Sequence, residues 1–280
     1  MTSIVLGLVA ALCWGVHDLC VRKISATEGI FAALFAVLFF GSLFGLPFAL
    51  LWGDAAAVMP YSWLQAIGAG LFFAGAGLGL FKALEIGPVR LVAPIIGGYP
   101  ILSLLWATYL GSALTLGHWL AVFAVVAGVA FIAVNSDDGA SSGRKRAAIW
   151  WSLMSGSGYA ASFALSQGAT QLSDEWSILL PLRLTALAAI FFLAMAFGER
   201  IRPRARSVGI LAVMGALDIL ALTAVSAAGN QAFPEFASVG ASTFGLVTVV
   251  LASIFLREAL KPLQWGAVLL VFVAVGSLGL

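Results

Sequence analysis

The chain has 280 residues, of which 62% are hydrophobic and 9% charged, and its mean hydropathy is +1.09. A water-soluble domain carries about 25% charged residues, so most of this surface faces something other than water. That excludes a soluble enzyme or a disordered scaffold and argues against nucleic acid as a partner, and a formal charge of +2 is too small to point to a polyanion.

A bilayer core takes roughly 20 apolar residues per helix, and the apolar runs predict ten spans at about 2–24, 30–52, 61–85, 89–110, 115–134, 147–168, 176–197, 207–229, 233–256 and 261–280. Turn and helix-end signals separate them, such as Gly53-Asp54, Gly87-Pro88, Asn135 to Gly139 and Lys261-Pro262. The first run, from Ile4, has no basic flank and leads straight into more apolar sequence, which does not read as a cleavable signal peptide. The longest polar linker, Asn135 to Arg146, is too short for a water-soluble catalytic domain.

Span 1 holds Trp14, His17 and Asp18 at i, i+3 and i+4, hence on one helical face. Asp18 lies about 6 Å and Trp14 about 12 Å inward of Arg22, which marks a helix end. Either Asp18 pairs with Arg22 while His17 caps a buried network, or the face opens onto a cavity where Asp18 or His17 meets solute or proton; both can hold at once. Trp52, Trp63, Trp119, Trp150, Trp151, Trp176 and Trp265 fall near span ends, as an interfacial belt requires, and Trp106 is one turn from an end. Trp14 alone sits well inside, packed against helices or walling a site. Cys13 and Cys20, seven apart, stand about 10 Å from each other on a helix, too far for a disulfide.

Span 2 offers Gly41 and Gly45 as a small-residue pair, and span 3 is glycine-rich from Gly68 to Gly79, which lets helices approach closely. Lys82 and Glu85 read as a snorkelling pair at the end of span 3. Span 4 carries Gly97-Gly98 between Pro94 and Pro100, a candidate bend, and Tyr99 near mid-membrane. Tyr159 is at similar depth in span 6, and both tyrosines could offer a hydroxyl to solute. Arg183 lies about 25 Å from Arg200 along span 7. It pairs with Asp174 or Glu175 as a boundary or gate, or binds an anionic group of the solute. Asp218 lies about 18 Å from Arg206 along span 8, with no base within a turn, so its partner comes from another helix. It is a proton carrier (as Asp18 could be), a binder of a substrate ammonium, or a structural hydrogen-bond donor. Gln167, Asn230 and Gln231 fall nearer span ends and are weaker candidates.

A shift of 146 residues aligns Pro88 with Pro234, Leu114 with Leu260 and Trp119 with Trp265. Two units follow, 1–134 and 147–280, joined by 135–146. Five spans per unit is odd, so the second is threaded upside down, an inverted repeat of the kind secondary transporters use around a mid-membrane site. Every Lys and Arg except Arg183 falls on one side of this arrangement, whereas the opposite loops offer Asp54, Asp174, Glu175 and Glu235. The positive-inside rule then places the odd-numbered loops in the cytoplasm and both termini outside a cytoplasmic (inner) membrane.

Span 1, with Ala11-Leu12-Cys13-Trp14-Gly15 and Arg22 eight residues after the tryptophan, and the stretch from Phe255-Leu256-Arg257-Glu258-Ala259-Leu260 to Trp265-Gly266-Ala267, resemble the drug/metabolite transporter superfamily, EamA-type. The resemblance covers essentially the whole chain. It departs where the family usually has an acidic residue after span 4, which is Ser112 here. The resemblance implies an all-α integral membrane carrier of small metabolites, often an exporter of amino acids. It places spans 1–4 and 6–9 around a cavity and spans 5 and 10 as scaffold or contact helices, open to a homodimer.

The candidate lining of Trp14, His17, Asp18, Tyr99, Tyr159 and Asp218 suits a zwitterionic or cationic solute, an amino acid first. The alternatives are an intramembrane lipid-modifying enzyme and a channel or lipid scramblase. His-Glu-x-x-His and Gly-x-Ser-x-Gly are missing, and His17 and His118 are the sole histidines. No ring of selectivity groups is evident. No metal-ligand spacing or nucleotide loop occurs, so no cofactor is expected and the bilayer and the solute are the partners.

Overall fold

The computed structural model describes residues 1–24, 27–54, 56, 58–86, 92, 95–134, 145–255 and 262–278. Its helices, in chain order, are α1 (Thr2–Ile24), α2 (Ile30–Trp52), α3 (Pro60–Ile86), α4 (Tyr99–Tyr109), α5 (Leu116–Val134), α6 (Lys145–Thr170), α7 (Glu175–Ala196), α8 (Val208–Ala227), α9 (Glu235–Ala241), α10 (Phe244–Phe255) and α11 (Pro262–Ser277). No strand occurs among the described residues. Pro88, Arg90, Pro94, most of the linker 135–146, Arg257, Glu258 and Lys261 lie outside them, as do the side chains of Arg22 and Lys23.

Helix ends follow local chemistry. Pro60 and Pro262 open α3 and α11, where a missing N–H costs nothing. The Asp174 carboxylate caps α7 by accepting from the Ser177 N–H at 2.8 Å and the Ser177 hydroxyl at 2.7 Å. Five stretches among the described residues are long and apolar enough to cross a bilayer: Thr2–Val21, Ile30–Trp52, Pro60–Ile86, Glu175–Ala196 and Ala205–Asn230. The chain is a multi-pass membrane protein.

Residue placement is that of a protein solvated by lipid. Leu50 is 72% and Phe192 68% exposed, with Leu51, Trp52, Leu64 and Leu269 similarly turned outward. Serines, by contrast, are buried: Ser62, Ser152, Ser155, Ser162 and Ser166 are fully enclosed. Lipid tails give no hydrophobic drive between helices, so close approach and interhelical hydrogen bonds must hold them. The Ser155 and Ser162 hydroxyls on α6 donate to the Ala76 and Ala69 carbonyls of α3, at 2.8 and 2.9 Å.

The extensive pairings are α3 with α6, α1 with α8, α2 with α8, α3 with α7, α2 with α7, and α5 with α11. In addition α1 packs on α9 and α10, α6 on α4, and α4 on α9. A difference from the sequence reading lies in the predicted span 233–256, which is two helices broken at Ser242 and Thr243. The Ser242 and Thr243 hydroxyls donate to the Val239 and Gly240 carbonyls three residues back, at 2.8 and 2.7 Å. Such local side-chain bonds compete with the helical ladder. A second turn at Gly97-Gly98 stands before α4, where the glycine pair foretold a bend.

Candidate functional site

The six side chains singled out in the sequence, Trp14, His17, Asp18, Tyr99, Tyr159 and Asp218, line one recess of about 390 Å³. They come from α1, α4, α6 and α8. Leu80, Phe163 and Phe244 complete the wall, and these three escaped the sequence reading. Phe163 could have been found from the i, i+4 relation to Tyr159 on one face. Phe244 had no signal, because nothing in its apolar run marks the break before it. The recess lies at the two helix breaks, with Tyr99 the first residue of α4 and Phe244 the first of α10.

Aromatic rings form most of the wall. Trp14 stacks on Phe163 with centroids 5.5 Å apart, and Phe163 stacks on Tyr159 at 5.8 Å. Tyr99 meets Phe163 edge-on at 5.6 Å and lies 6.4 Å from Tyr159. The Tyr99 hydroxyl is buried and has no hydrogen-bond partner among the described residues. Offset and edge-on rings of this kind give a firm surface that accepts an apolar side chain or a cation.

The polar groups sit against that wall. His17 is buried, and its Nδ1 lies 3.4 Å from Oδ1 of Asp18. The Trp14 indole N–H donates to Oδ1 of Asp218 at 2.8 Å, so the tryptophan is both ring surface and hydrogen-bond donor. Lys82 and Glu85 form the expected helix-end pair at 2.8 Å. Gln167 donates to the Val225 and Pro234 carbonyls, each at 3.1 Å, a structural role away from the recess. Cys13 and Cys20 are not in a disulfide.

Arg183 requires a correction. The sequence reading offered Asp174 or Glu175 as its boundary partner, yet Nη1 donates to Oδ2 of Asp218 in the interior. The predicted start of span 7 at 176 nearly matches the start of α7 at Glu175, so Arg183 is two turns inside the helix as expected, and what the sequence did not reveal is the α8 carboxylate beside it. Its side chain is fully enclosed. Nη2 donates to the Val37 carbonyl at 3.4 Å, and the guanidinium carbon lies 5.7 Å from the centre of the Phe73 ring. Nε has no hydrogen-bond partner among the described residues. Asp218 thus has the partner from another helix that its isolation on span 8 required.

Gly41 makes room for this pair. A Cβ there would fall well inside van der Waals contact of Nη2 of Arg183 and 3.1 Å from the Gly215 carbonyl oxygen. Across the same contact, a Cβ on Gly215 would meet Cβ of Phe40 at 2.7 Å and the Gly41 nitrogen at 2.8 Å. The two glycines bring α2 and α8 together beside the ion pair.

Residues 1–134 match the EamA-like transporter family. A protein of Archaeoglobus fulgidus described as an uncharacterized transporter is 24% identical over 266 residues, covering 93% of this chain and 92% of its own length. A solved crystal structure at 16% identity superposes with a TM-score of 0.81 over 99% of this chain and 96% of its own; that likeness establishes the fold alone. The resemblance read from span 1 agrees with these findings: residues 1–134 match the EamA-like transporter family, which is consistent with the drug/metabolite transporter superfamily.

Proposed function

We propose that this membrane transporter is a secondary carrier of small metabolites, amino acids first among them, working by alternating access and in the direction of export from the cytoplasm. The observation that carries the reading is the recess itself. Carboxylates of Asp18 and Asp218 stand on a wall of Trp14, Tyr99, Tyr159 and Phe163, which fits a small solute with a charged head and an apolar body.

The proposed scaffold is ten spans in two inverted repeats, 1–134 and 147–280, with both termini outside the cytoplasmic membrane. The helix pairings support it. Exchanging α1, α2, α3, α4 and α5 for α6, α7, α8, α9–α10 and α11 turns each extensive pairing into another or into itself: α3 with α6 becomes α8 with α1, α2 with α8 becomes α7 with α3, and α2 with α7 and α5 with α11 are unchanged. Interrupted helices at equivalent places in two halves are a mark of transporter binding sites, and the breaks before Tyr99 and Phe244 are of that kind. The paired helices α5 and α11 turn Leu120 and Leu269 outward, a face for lipid or for a second copy.

Uptake of a panel of radiolabelled amino acids into proteoliposomes, with and without a pH gradient, tests the reading. Accumulation or counterflow of at least one amino acid is expected. Movement of no solute beside rapid lipid scrambling would replace this reading with a scramblase, and conversion of a lipid would replace it with an enzyme.

A further inference from the structure

A second recess, of about 240 Å³, lies beyond the ion pair. Its lining includes Gly41, Gly45, Trp176, Arg183 and Thr223. The larger recess belongs to the end of the molecule where α1 and α3 finish, as Asp18 and Leu80 are each six residues from those ends. The smaller one belongs to the opposite end, where α7 has just begun at Trp176 and α8 is closing at Thr223. Asp218 borders the first and Arg183 the second. The bond between them is the partition.

We propose that the Arg183–Asp218 pair is a gate opened by exchange with a zwitterion, whose ammonium takes Asp218 and whose carboxylate takes Arg183. This rests on the transporter reading and narrows it to solutes carrying both charges. Separating two buried ions leaves each without its counter-ion, which is costly in a low-dielectric interior. A lone amine satisfies Asp218 and strands Arg183; a lone acid does the reverse. An α-amino acid carries both charged groups on one carbon, so the pair parts with both groups still satisfied.

Arg183 is built to accept the carboxylate. Its Nε has no partner among the described residues, and Nη2 makes only the long contact to the Val37 carbonyl. That edge of the guanidinium is the geometry a carboxylate binds with two parallel hydrogen bonds. Gly41 has no Cβ, which lets Nη2 lie directly against the α2 backbone. On the other side the Trp14 indole N–H already holds Oδ1 of Asp218 in place, so the carboxylate stays oriented while its other oxygen changes partner. The rings of Phe163, Tyr159 and Tyr99 then receive the apolar side chain. Without a zwitterion the pair stays closed and the two recesses stay separate.

The test is counterflow of radiolabelled leucine in proteoliposomes, competed by unlabelled leucine, by its decarboxylated amine, isoamylamine, and by its deaminated acid, 4-methylpentanoate. For the wild-type protein, amine and acid should each compete at least about tenfold more weakly than leucine, since either leaves one buried ion unpaired. In Asp218→Asn, leucine should weaken by about tenfold or more, while the acid gains on it because Arg183 no longer has a resident carboxylate. Arg183→Lys, which keeps the charge and loses the fork, should weaken leucine and leave isoamylamine unchanged. Leucine counterflow with isoamylamine as potent as leucine, or with an unaltered competitor order in Asp218→Asn, would overturn the exchange gate and leave the transporter reading intact. If Asp218→Asn does not reconstitute, the wild-type competitor order decides alone. Absence of counterflow for every zwitterion, with robust movement of another solute, would also overturn the gate.

Discussion

Trp14 joins two functions that a smaller side chain would separate. Its ring stacks on Phe163 and its N–H donates to Asp218. Trp14→Phe keeps the first and removes the second, leaving one carboxylate oxygen short of a donor. Hydrogen bonds inside membrane proteins average well under 2 kcal/mol, and one to a charged group stands at the upper end. A loss of about 1–2 kcal/mol is expected, read as a lowered midpoint of unfolding in detergent, with Trp14→Leu falling further because the stacking goes too.

Gly41 and Gly45 separate close approach from the ion pair itself. At Gly45 an added Cβ meets only the Ile219 side chain, at 3.3 Å from Cγ1 and 3.4 Å from Cδ1, which can shift slightly. At Gly41 it meets the guanidinium of Arg183. Gly41→Ala should therefore push Arg183 off Asp218 and cost about 3 kcal/mol or more, the range for breaking a buried pair. Gly45→Ala should cost less than about 1 kcal/mol. Thermal unfolding of the two variants side by side checks this, and equal losses would contradict it.

Single positions were legible in the sequence where helical geometry alone decides a neighbour. Trp14, His17 and Asp18 follow from i, i+3 and i+4, and an ionisable group at the depth of Asp218 had to find a partner on another helix. The identity of that partner was not legible. Arg183 is 35 residues away, and which helices touch is a property of the packed bundle. Phe163 and Phe244 were hidden for a related reason, since an apolar residue in an apolar span carries no mark of which one faces a cavity.

At the scale of the element, α7 is the best defined helix start. Burial pushes the Asp174 carboxyl upward, but hydrogen bonds from the Ser177 hydroxyl and from the Ser177, Asp54 and Trp176 N–H groups outweigh it and hold the group below its ordinary value. A carboxyl depressed on folding adds stability that is fully present above its unfolded value, about 3.9, and fades as pH falls through the folded one. Asp174→Ala should cost about 1 kcal/mol at pH 7, and the gap to wild type should shrink toward pH 3. Thermal unfolding across that pH range is the measurement; a constant gap would show that the cap acts without its charge.

The two broken helices differ in how far they could be read. Gly97-Gly98 announced the turn before α4, because glycine is a poor helix former. The turn between α9 and α10 rests on Ser242 and Thr243 capturing carbonyls three residues back. Either residue is also at home inside a membrane helix, so the run 233–256 read as continuous. Its interruption became visible only from the backbone.

For the whole molecule, composition placed the chain in lipid, and five membrane-length helices among the described residues, with leucine and phenylalanine outward, agree with that. The proposed orientation rests on charge bias. With the loops near Arg22, Lys82, Arg144 and Arg200 in the cytoplasm, a single cysteine added before Thr2 in a Cys13→Ala, Cys20→Ala background should react with a membrane-impermeant maleimide on intact cells. One placed near Arg202 should react only after the membrane is opened. The reverse pattern would turn the molecule over without changing its fold.

On the proposed function, a small zwitterion crosses through the recess that Trp14, Tyr99, Tyr159 and Asp218 share. Counterflow of radiolabelled amino acids in proteoliposomes of wild type and Asp218→Asn measures it directly. The expected result is saturable counterflow of an apolar amino acid by the wild type and a loss of about tenfold or more in apparent affinity in the variant. Unchanged counterflow in Asp218→Asn, or none for any amino acid in a wild-type protein that moves some other solute, would contradict it.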